Sequence, residues 1–575
     1  MKSFRKYYFP TLLAVILFLG FFLRFYQLGH VPNGLYPDET ALGYNAYSIL
    51  LTGKDEYGVH MPLYFRSFDD YKLPVYVYAT VLTEKIFGVN AFAVRLPSAV
   101  MGSLSLVAIF LLVYFLSRNK WLALLSTATL SVNPWHLFFS RAGYEVNVAT
   151  ALMLFGTLFF VLAVQKKTKY VFFILSIISF LLAVYTYNVT RLISPILFAG
   201  LCLTYYKELK HYPKTKIISL LMLFAIGLLP FIVTFFSLQS QSGFAAHDDA
   251  LLIGKVAKTD YIQTRSYFTS MPSIVQKLLF NNLFLIFFAY LKNLVSFFST
   301  GFFFITGADR PNENVGGNLG MFYYFDFPFI IYGAYQIIKQ RTKSLYPFIV
   351  WFLIIYFIGS IIKTTPNGTR TYAVVIPFTV FAAYGIYTAF TNISKYRKTI
   401  IRNSVIILSG GFIVYSIVFY LLSYFIRFPI EMAQDWRSED QRTVAYIQSV
   451  EGNYDKIVFD NSAGFYYTSL LFYSKIDPTF HQTHAAYSLH GLVNGVDKDG
   501  RYEFKKVDWD KELTSQKTLF ITGGTNIPGN VSVLKTITYP TRPVVLFYNR
   551  QIAQYPTTDT AYTIFQASQT KMDER

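Results

Sequence analysis

Long, nearly uncharged apolar stretches recur through most of this 575-residue chain and constrain its fold more than any other feature. A helix crosses a bilayer with about 20 mainly apolar residues, because the hydrocarbon core is about 30 Å thick. Only 14% of the residues are charged, whereas soluble domains carry about 25%. These stretches predict an α-helical polytopic membrane protein. We place its spans near residues 9–27, 97–116, 121–138, 146–164, 170–187, 191–206, 217–237, 320–338, 345–362, 371–391 and 403–426.

Basic residues in alternate loops orient the predicted spans. Short cytoplasmic loops collect Lys and Arg, so Lys2, Arg5 and Lys6 predict a cytoplasmic N-terminus. Further basic loops lie at 118–120, 166–169, 207–216, 339–343 and 395–402. This bias explains the net charge of +19 without a nucleic-acid partner, for which the sequence contains no signature motif.

The stretch 278–306 decides the number of crossings. It is apolar but contains Asn281, Lys292 and Asn293, and the loop charges require it to cross the membrane either not at all or twice. We expect a helix in the outer interface, which gives about 11 spans, or about 13 if the stretch crosses as a pair. Both counts place the loop 28–96 and the tail 427–575 outside.

The tail differs in character from the rest of the chain. A helical pattern and three short β-rich runs lie at 437–450, 456–460, 517–522 and 544–548. These patterns predict a small α/β domain. The expected organisation is a membrane-embedded domain, 1–426, whose outer loop 28–96 carries the candidate site, followed by a soluble extracytoplasmic domain, 427–575.

Candidate functional residues are the charges beside the membrane that cytoplasmic loops do not explain, because such charges are costly near hydrocarbon and tend to mark function. Asp38 and Glu39 are adjacent in the first outer loop, so on a helix they point about 100° apart and contact different partners. The alternative interpretation is a solvated turn at a helix N-terminus, where acids suit the helix dipole. Lys72 could snorkel to the interface or bind a lipid phosphate.

Three more candidates lie in later outer turns. Arg141 and Glu145 are four residues apart between two spans, where they either pair with each other or contact a ligand. Arg370 stands in an outer turn and breaks the positive-inside pattern. Anionic lipid head groups explain one such residue, but several outer cations beside acidic turns suit a reaction between a hydroxyl and a lipid-linked phosphate ester. A carboxylate would take the hydroxyl proton, and Lys or Arg would neutralise charge on the departing phosphate.

Four short motifs follow one another in and after the first outer loop. They are Asp38-Glu39, Lys72-Leu73-Pro74, Phe87-Gly88-Val89-Asn90 and Arg95-Leu96-Pro97-Ser98. With this set, residues 5–425 resemble the polyprenyl-phosphate-sugar-dependent glycosyltransferases of the protein O-mannosyltransferase and aminoarabinose-transferase type, which belong to the GT-C superfamily. Leu73 departs from the family's Lys-Pro-Pro, but the lysine is retained. Later matches are Ser140-Arg141, the segment from Gly307 to Asn312, and Arg370-Thr371-Tyr372.

The resemblance implies an inverting transfer of a hexosyl or pentosyl group from a polyprenyl-phosphate-linked donor to an acceptor on the extracytoplasmic face. It implies that Asp38 is the catalytic base and that Glu39 supports it or orients the acceptor. Glu145 would contact the acceptor or the sugar, although family members often have an aspartate at this place.

Lys72 and Arg370 would hold the donor phosphate, with Arg141 as a further candidate. The resemblance requires no cofactor, because polyprenyl phosphate is already a good leaving group. The alternative is a divalent metal ion bound by the adjacent acids, as in some relatives.

Two other functions stand as alternatives, namely a transporter or flippase of lipid-linked saccharides and a non-catalytic assembly subunit. Transporters commonly contain repeated halves and helices broken near mid-bilayer, and the sequence shows no internal repeat. The expected partners are the polyprenyl-phosphate sugar, membrane lipid, and an acceptor that is a protein, a lipid or a wall polymer of the cell envelope. The expected location is a bacterial plasma membrane.

Overall fold

The structure of the protein is a computed structural model that describes residues 2–67, 70–165, 170–235, 263, 266–268, 271–279, 281–314, 319–361, 365–487, 496–513, 517–524, 527–529, 531–540, 542–548, 551–557 and 559–567. Its α-helices, numbered along the chain, are α1 (Lys2–Phe25), α2 (Pro37–Thr52), α3 (Pro74–Phe87), α4 (Ala91–Ser117), α5 (Lys120–Val132), α6 (Pro134–Phe139), α7 (Glu145–Gln165), α8 (Tyr170–Val184), α9 (Thr190–Thr204), α10 (Tyr206–Leu209), α11 (Lys214–Phe235), α12 (Ser273–Leu279), α13 (Asn282–Ser296), α14 (Asp326–Lys339), α15 (Tyr346–Gly359), α16 (Val375–Ile393), α17 (Thr399–Leu422), α18 (Phe428–Glu431), α19 (Asp440–Val450), α20 (Tyr467–Ser474), α21 (Pro478–His484) and α22 (Trp509–Glu512). Its strands are β1 (Phe65–Ser67), β2 (Asp70–Lys72), β3 (Lys456–Asp460), β4 (Ala485–Tyr487), β5 (Val496–Asp499), β6 (Tyr502–Lys505), β7 (Thr518–Gly523), β8 (Val531–Thr538), β9 (Arg542–Tyr548), β10 (Gln551–Thr557) and β11 (Thr560–Ala567).

The apolar stretches form helices, as their hydropathy predicts. Within the described residues, seven helical segments are long and apolar enough to cross a membrane, and three shorter apolar helices accompany them. The seven are Tyr8–Phe25, Ala91–Ser117, Glu145–Gln165, Lys214–Val233, Ser273–Ile305, Tyr372–Ile393 and Thr399–Glu431. The three are Tyr170–Val184, Thr190–Thr204 and Lys343–Gly359. The predicted α-helical polytopic membrane fold is thereby confirmed.

Three predicted regions bear on the number of spans. All but the last residue of the stretch 278–306 falls within one of the seven candidate segments, which are defined by length and composition. The predicted spans near 121–138 and 320–338 overlap with α5 and α14, of 13 and 14 residues. Both helices are shorter than the roughly 20 residues that cross a bilayer unaided. The number of crossings therefore stays a prediction.

Spatial contacts divide the chain into two compact units. The first, called here the membrane unit, comprises Met1–Tyr26 and Ser98–Leu421. The second, the loop–tail unit, comprises Gln27–Pro97 and Leu422–Arg575. The first outer loop thus shares a compact unit with the C-terminal tail, whereas the sequence division at 426/427 grouped it with the membrane part. The assignment of 1–426 to a membrane-embedded glycosyltransferase domain and of 427–575 to a soluble extracytoplasmic domain stays a prediction.

In the membrane unit, aromatic rings pack around Trp135 of the short helix α6. Trp135 is fully buried, and its ring centroid lies 5.6 Å from that of Phe302 and 5.4 Å from that of Tyr372. Its indole Nε1–H donates a hydrogen bond of 3.1 Å to the carbonyl of Gly368. The buried tryptophan therefore holds the turn that leads into α16, where Arg370 stands.

Arg24 lies fully buried at the end of α1, where the sequence placed the end of the first span. Its Nη1 donates to the carbonyls of Gly20 and Ser131 at 2.8 and 3.1 Å. Its Nη2 lies 2.7 Å from Nδ1 of His136. Because a guanidinium only donates, Nδ1 of His136 must accept, and the ring carries its proton on Nε2. These bonds join α1 to α5 and α6.

In the loop–tail unit, seven strands form a mixed sheet in the order β4-β5-β6-β3-β7-β11-β8. The central strand β3 pairs in parallel with both β6 and β7. Its side chains are buried on both faces, since Phe459 packs in one hydrophobic cluster and Val458 in another. Leu35 and Tyr44 from the first outer loop complete the cluster around Phe459. The predicted small α/β domain is confirmed, and the loop with the candidate acids is built onto it.

Candidate functional site

The first turn of α2 presents the two adjacent acids of the first outer loop. Tyr36 is extended before the helix, and Pro37 occupies its first position, where the fixed φ of proline suits a helix start. Asp38 and Glu39 follow within the first turn, where their negative charges favour the positive end of the helix dipole. As their spacing predicts, the two carboxylates have different partners.

Asp38 faces Lys72. The lysine is the last residue of β2, which pairs with β1 as a short antiparallel hairpin. Its Nζ lies 2.9 Å from Oδ1 of Asp38, and the two side chains are 16% and 39% exposed, respectively. The structure thus brings the predicted base and the predicted phosphate ligand into direct contact, with the carboxylate still accessible to a substrate.

Glu39 faces inward and binds Arg95 of α4. Nε and Nη2 of Arg95 donate to the two carboxylate oxygens at 2.9 and 3.0 Å, and both side chains are fully buried. Arg95 also donates to the carbonyls of Leu28 and Pro32 at 3.2 and 2.9 Å, and to that of Gly34. One buried arginine therefore holds the segment before α2, the first turn of α2 and the start of α4. Sequence analysis singled out Arg95 within a motif but gave it no partner.

Arg141 and Glu145 lie in the membrane unit, and both are buried. Nη1 of Arg141 donates to the carbonyl of Leu23 at 2.6 Å. Glu145 is the first residue of α7, a position that suits its charge. Their contacts to a donor or acceptor stay predictions.

Arg370 stands at the end of a turn that Asn367 shapes. Oδ1 of Asn367 accepts hydrogen bonds from the backbone N–H groups of Thr369 and Arg370 at 3.2 and 3.0 Å. Across the part of the chain that the structure describes, no side-chain hydrogen bond engages the guanidinium of Arg370, whose charge acts on Tyr187 and Glu313. Lys363, in the same predicted outer turn, lies outside the described residues.

Glu313 is a buried acid beside this turn that sequence analysis missed. Its Oε1 accepts a hydrogen bond of 3.2 Å from Oγ1 of Thr369 and lies 3.7 Å from Nη1 of Arg310. Burial raises the pKa of Glu313, and the charge of Arg310 opposes that rise. The segment that matches the family motif ends at Asn312, directly before Glu313. Its position next to the motif is the signal by which Glu313 could have been found in the sequence.

Glu56 is a second buried acid that the sequence did not mark, and it belongs to the loop–tail unit. Its Oε1 accepts a hydrogen bond of 3.1 Å from Tyr467, and its backbone N–H donates to Asn45 of α2 at 3.2 Å. Burial, reinforced by the neighbouring charge of Asp55, raises the pKa of Glu56 to about 8. Glu56 therefore anchors the loop after α2 as a mostly neutral acid at pH 7.

Three aromatic side chains of the tail, a residue type that can stack on sugars, pack in the interior of the loop–tail unit. Trp436 and Tyr467 are fully or almost fully buried. Trp509 packs against Phe520 and Phe565 with ring centroids 5.6 Å apart in both pairs. Core packing, the more frequent use of aromatic residues, accounts for all three.

Acids and histidines do not gather into a metal-binding group within the described ranges, where no cluster of three or more His, Cys, Asp or Glu side chains could hold an ion. Asp38 and Glu39, the pair that the sequence offered as metal ligands, face Lys72 and Arg95 instead. The expectation that no metal ion is required stays a prediction, and a chelator experiment would test it.

Comparison with known proteins gives one family model that matches part of the chain and solved structures with a similar fold. The family model for dolichyl-phosphate-mannose-protein mannosyltransferase matches residues 72–234. The apo structure of ArnT from Cupriavidus metallidurans matches with a TM-score of 0.51 and 13% identity, over 89% of this chain and 92% of that one. No curated protein matches the chain.

Two further solved structures are similar with lower scores. ArnT from Cupriavidus metallidurans bound to undecaprenyl phosphate matches with a TM-score of 0.49 and 12% identity, over 97% of this chain and 98% of that one. The Archaeoglobus fulgidus oligosaccharyltransferase tethered with an acceptor peptide matches with a TM-score of 0.49 and 12% identity, over 83% and 64% of the two chains. The resemblance predicted from the sequence is confirmed: residues 72–234 match the mannosyltransferase family model, and the chain shares the fold of ArnT.

Proposed function

We propose that this chain is an inverting glycosyltransferase that moves a hexosyl or pentosyl group from a polyprenyl-phosphate carrier to an acceptor hydroxyl. The observation that carries the proposal is the Asp38–Lys72 contact of 2.9 Å at the start of α2. It places a substrate-accessible carboxylate next to a cation, which are the two groups that such a transfer requires. The family match, which begins at Lys72, supports the same class of reaction.

The reaction is a single displacement at the anomeric carbon. Asp38 takes the proton of the acceptor hydroxyl while the hydroxyl oxygen bonds to the anomeric carbon. The bond from that carbon to the phosphate oxygen breaks, and its electron pair leaves with polyprenyl phosphate. Lys72 stabilises the charge that grows on the phosphate, since an ammonium has three donors and can bind Asp38 and a phosphate oxygen together.

Glu39 positions Asp38 and does not itself take the proton of the acceptor hydroxyl. Both of its carboxylate oxygens bind Arg95 in a fully buried pair, so neither is accessible to a substrate hydroxyl. The pair fixes the first turn of α2, and the adjacent backbone then positions Asp38. Supporting groups of this kind keep a catalytic side chain within a fraction of an ångström of its working position.

In the membrane unit, we assign Arg370 to the donor phosphate. Its guanidinium is always charged and can bind two phosphate oxygens at once, and the turn that carries it is fixed by Asn367 and Trp135. Arg141 is a second candidate for the phosphate, and Glu145 a candidate contact to the acceptor or the sugar. Both assignments rest on the resemblance of the sequence.

The proposal includes the setting of the reaction. The N-terminus is cytoplasmic, and the reaction proceeds on the outer face of a bacterial plasma membrane, where the C-terminal domain also lies. The acceptor is a protein, a lipid or a wall polymer. In this proposal the displacement requires no metal ion, because Asp38 accepts the hydroxyl proton and Lys72 neutralises the charge on the departing phosphate.

The test uses the purified full-length protein with a panel of radiolabelled polyprenyl-phosphate sugars, with and without a chelator. We expect at least one donor to release polyprenyl phosphate, and we expect the chelator to leave the rate unchanged. Loss of activity with chelator, restored by a divalent ion, would overturn the metal-free proposal alone. If no donor reacts but labelled lipid crosses reconstituted vesicles, the protein is a flippase and the transferase proposal fails.

A further inference from the structure

The turn Asn367–Arg370 is held from three directions within the membrane unit. Oδ1 of Asn367 caps the backbone of Thr369 and Arg370. Trp135 holds the carbonyl of Gly368. The third support is Glu313, whose Oε1 lies 3.2 Å from Oγ1 of Thr369. The same hydroxyl lies 3.0 Å from Oδ1 of Asn367, so its one proton is shared between the two acceptor oxygens. Asn367 and Trp135 hold the backbone, whereas Glu313 contacts a side chain of the turn.

Glu313 packs directly against the backbone of this turn. A Cβ atom added at Gly368 would lie 2.5 Å from Oε2 and 2.8 Å from Cβ of Glu313. Contacts of that length are too short for real Cβ atoms, so the absence of a side chain at 368 is what allows the acid to approach. The carboxylate is buried, and its only exposed cationic neighbour across an ion-pair distance, among the described residues, is Arg310.

Burying a carboxylate is costly unless nearby cations and hydrogen bonds compensate. The compensation for Glu313 comes from Thr369 and from the charges of Arg310 and Arg370. The contacts of Glu313 with Thr369 and with the backbone at Gly368 restrict the conformations of the turn that carries Arg370. Such a preformed orientation lowers the entropy that a phosphate ligand must remove on binding.

We propose that Glu313 is a positioning residue for the donor phosphate, acting through Thr369 and Arg370. The proposal rests on the assignment of Arg370 to the phosphate of the donor. Glu313 contacts neither the reacting atoms nor, in our assignment, the phosphate itself. It holds the turn in one conformation, so that the Arg370 guanidinium meets the phosphate without first becoming ordered.

The experiment measures equilibrium binding of radiolabelled polyprenyl phosphate alongside donor KM and kcat. We expect Glu313→Ala and Thr369→Val to weaken polyprenyl phosphate binding and raise donor KM about tenfold, because each removes the hydrogen bond between the turn and the buried carboxyl group. We expect kcat to change less than about twofold, since the base and the bond-breaking step are untouched. Thr369→Ser keeps the hydroxyl and should restore wild-type binding.

The matched control is Glu208→Gln, which removes an exposed acid on α10 of the same unit and should leave donor KM unchanged. If Glu313→Ala does not fold, Thr369→Val tests the proposal alone, because its melting temperature reports its folding. Unchanged polyprenyl phosphate binding in a folded Thr369→Val protein would overturn the inference. An equal loss in Thr369→Ser would do the same. Failure of the wild type to release polyprenyl phosphate would instead overturn the proposed function.

Discussion

The first turn of α2 has an exposed side and a buried side. Asp38 forms an ion pair on the exposed side, and the adjacent Glu39 forms one on the buried side. Asp38 and Glu39 each bind one cation, and the shortest nitrogen–oxygen distance is 2.9 Å in both pairs. The Asp38 pair is partly exposed, whereas the Glu39 pair is fully buried and bidentate. An exposed pair contributes little stability and can exchange partners, but a buried pair is expensive to break. We infer that Asp38 serves the chemistry and Glu39 the architecture.

The largest effect on stability should come from breaking the buried pair. Arg95→Leu removes the bidentate cationic partner of the buried Glu39 and takes the guanidinium donor away from three backbone carbonyls. We expect it to lower the free energy of unfolding by about 3–5 kcal/mol, measured by denaturation in detergent. The control is Arg427→Leu, which breaks an exposed pair of 2.6 Å with Glu431 and should cost less than about 1 kcal/mol. Equal losses of unfolding free energy in Arg95→Leu and Arg427→Leu would contradict the distinction between buried and exposed ion pairs.

Replacing both members of the buried pair should be better tolerated than removing one. In Glu39→Leu with Arg95→Met, no charge is left without a partner, so most of the lost stability should return. The same denaturation experiment measures it. A double variant that is less stable than Arg95→Leu would show that the pair contributes more than mutual neutralisation.

The exposed pair should respond in activity and hardly at all in stability. We expect Lys72→Met to lower kcat/KM about 10–100-fold, because a cation that neutralises the leaving phosphate is lost. Its melting temperature should stay close to that of the wild type. Lys85→Met, which removes an exposed lysine on α3, is the control and should retain full activity. A Lys72→Met protein with normal kinetics and reduced stability would reverse the assignment.

The last prediction concerns the pH dependence of stability and the buried acid Glu56 of the same unit. Its pKa is raised from 4.5 to about 8, so between these values the folded state keeps a proton that the unfolded state has lost. Stability contributed by this group therefore falls as pH rises from about 4.5 to about 8. Glu56→Gln should flatten that part of the melting-temperature profile. Asp497→Asn, at an exposed position, should leave the profile unchanged, and an unaltered slope in Glu56→Gln would contradict the assignment.

The parts of the fold that could be predicted from the sequence are those that depend on local residue patterns. Apolar length gave the membrane helices, and the β-rich runs gave β3, β7 and β9, because both signals depend on neighbouring residues. The divergence of Asp38 and Glu39 followed from their spacing on one helical turn.

Contacts between residues that are far apart in the sequence could not be predicted. Arg95 lies 56 positions from Glu39, and Tyr467 lies 411 positions from Glu56. No local pattern encodes such pairs, since tertiary packing alone brings them together. For the same reason the sequence did not indicate that the first outer loop shares a compact unit with the tail. The catalytic and binding roles of Asp38, Lys72, Arg141, Glu145 and Arg370 stay predictions.

The most direct test compares Asp38→Asn with Glu39→Gln in one experiment, by release of polyprenyl phosphate from the active donor and by melting temperature. We predict that Asp38→Asn lowers the rate about 10²–10⁴-fold, as loss of a general base does, while the protein melts like the wild type. We predict that Glu39→Gln lowers the melting temperature, because the buried Arg95 loses its counter-charge. Wild-type turnover in Asp38→Asn would contradict the division between chemistry and architecture on which this account depends.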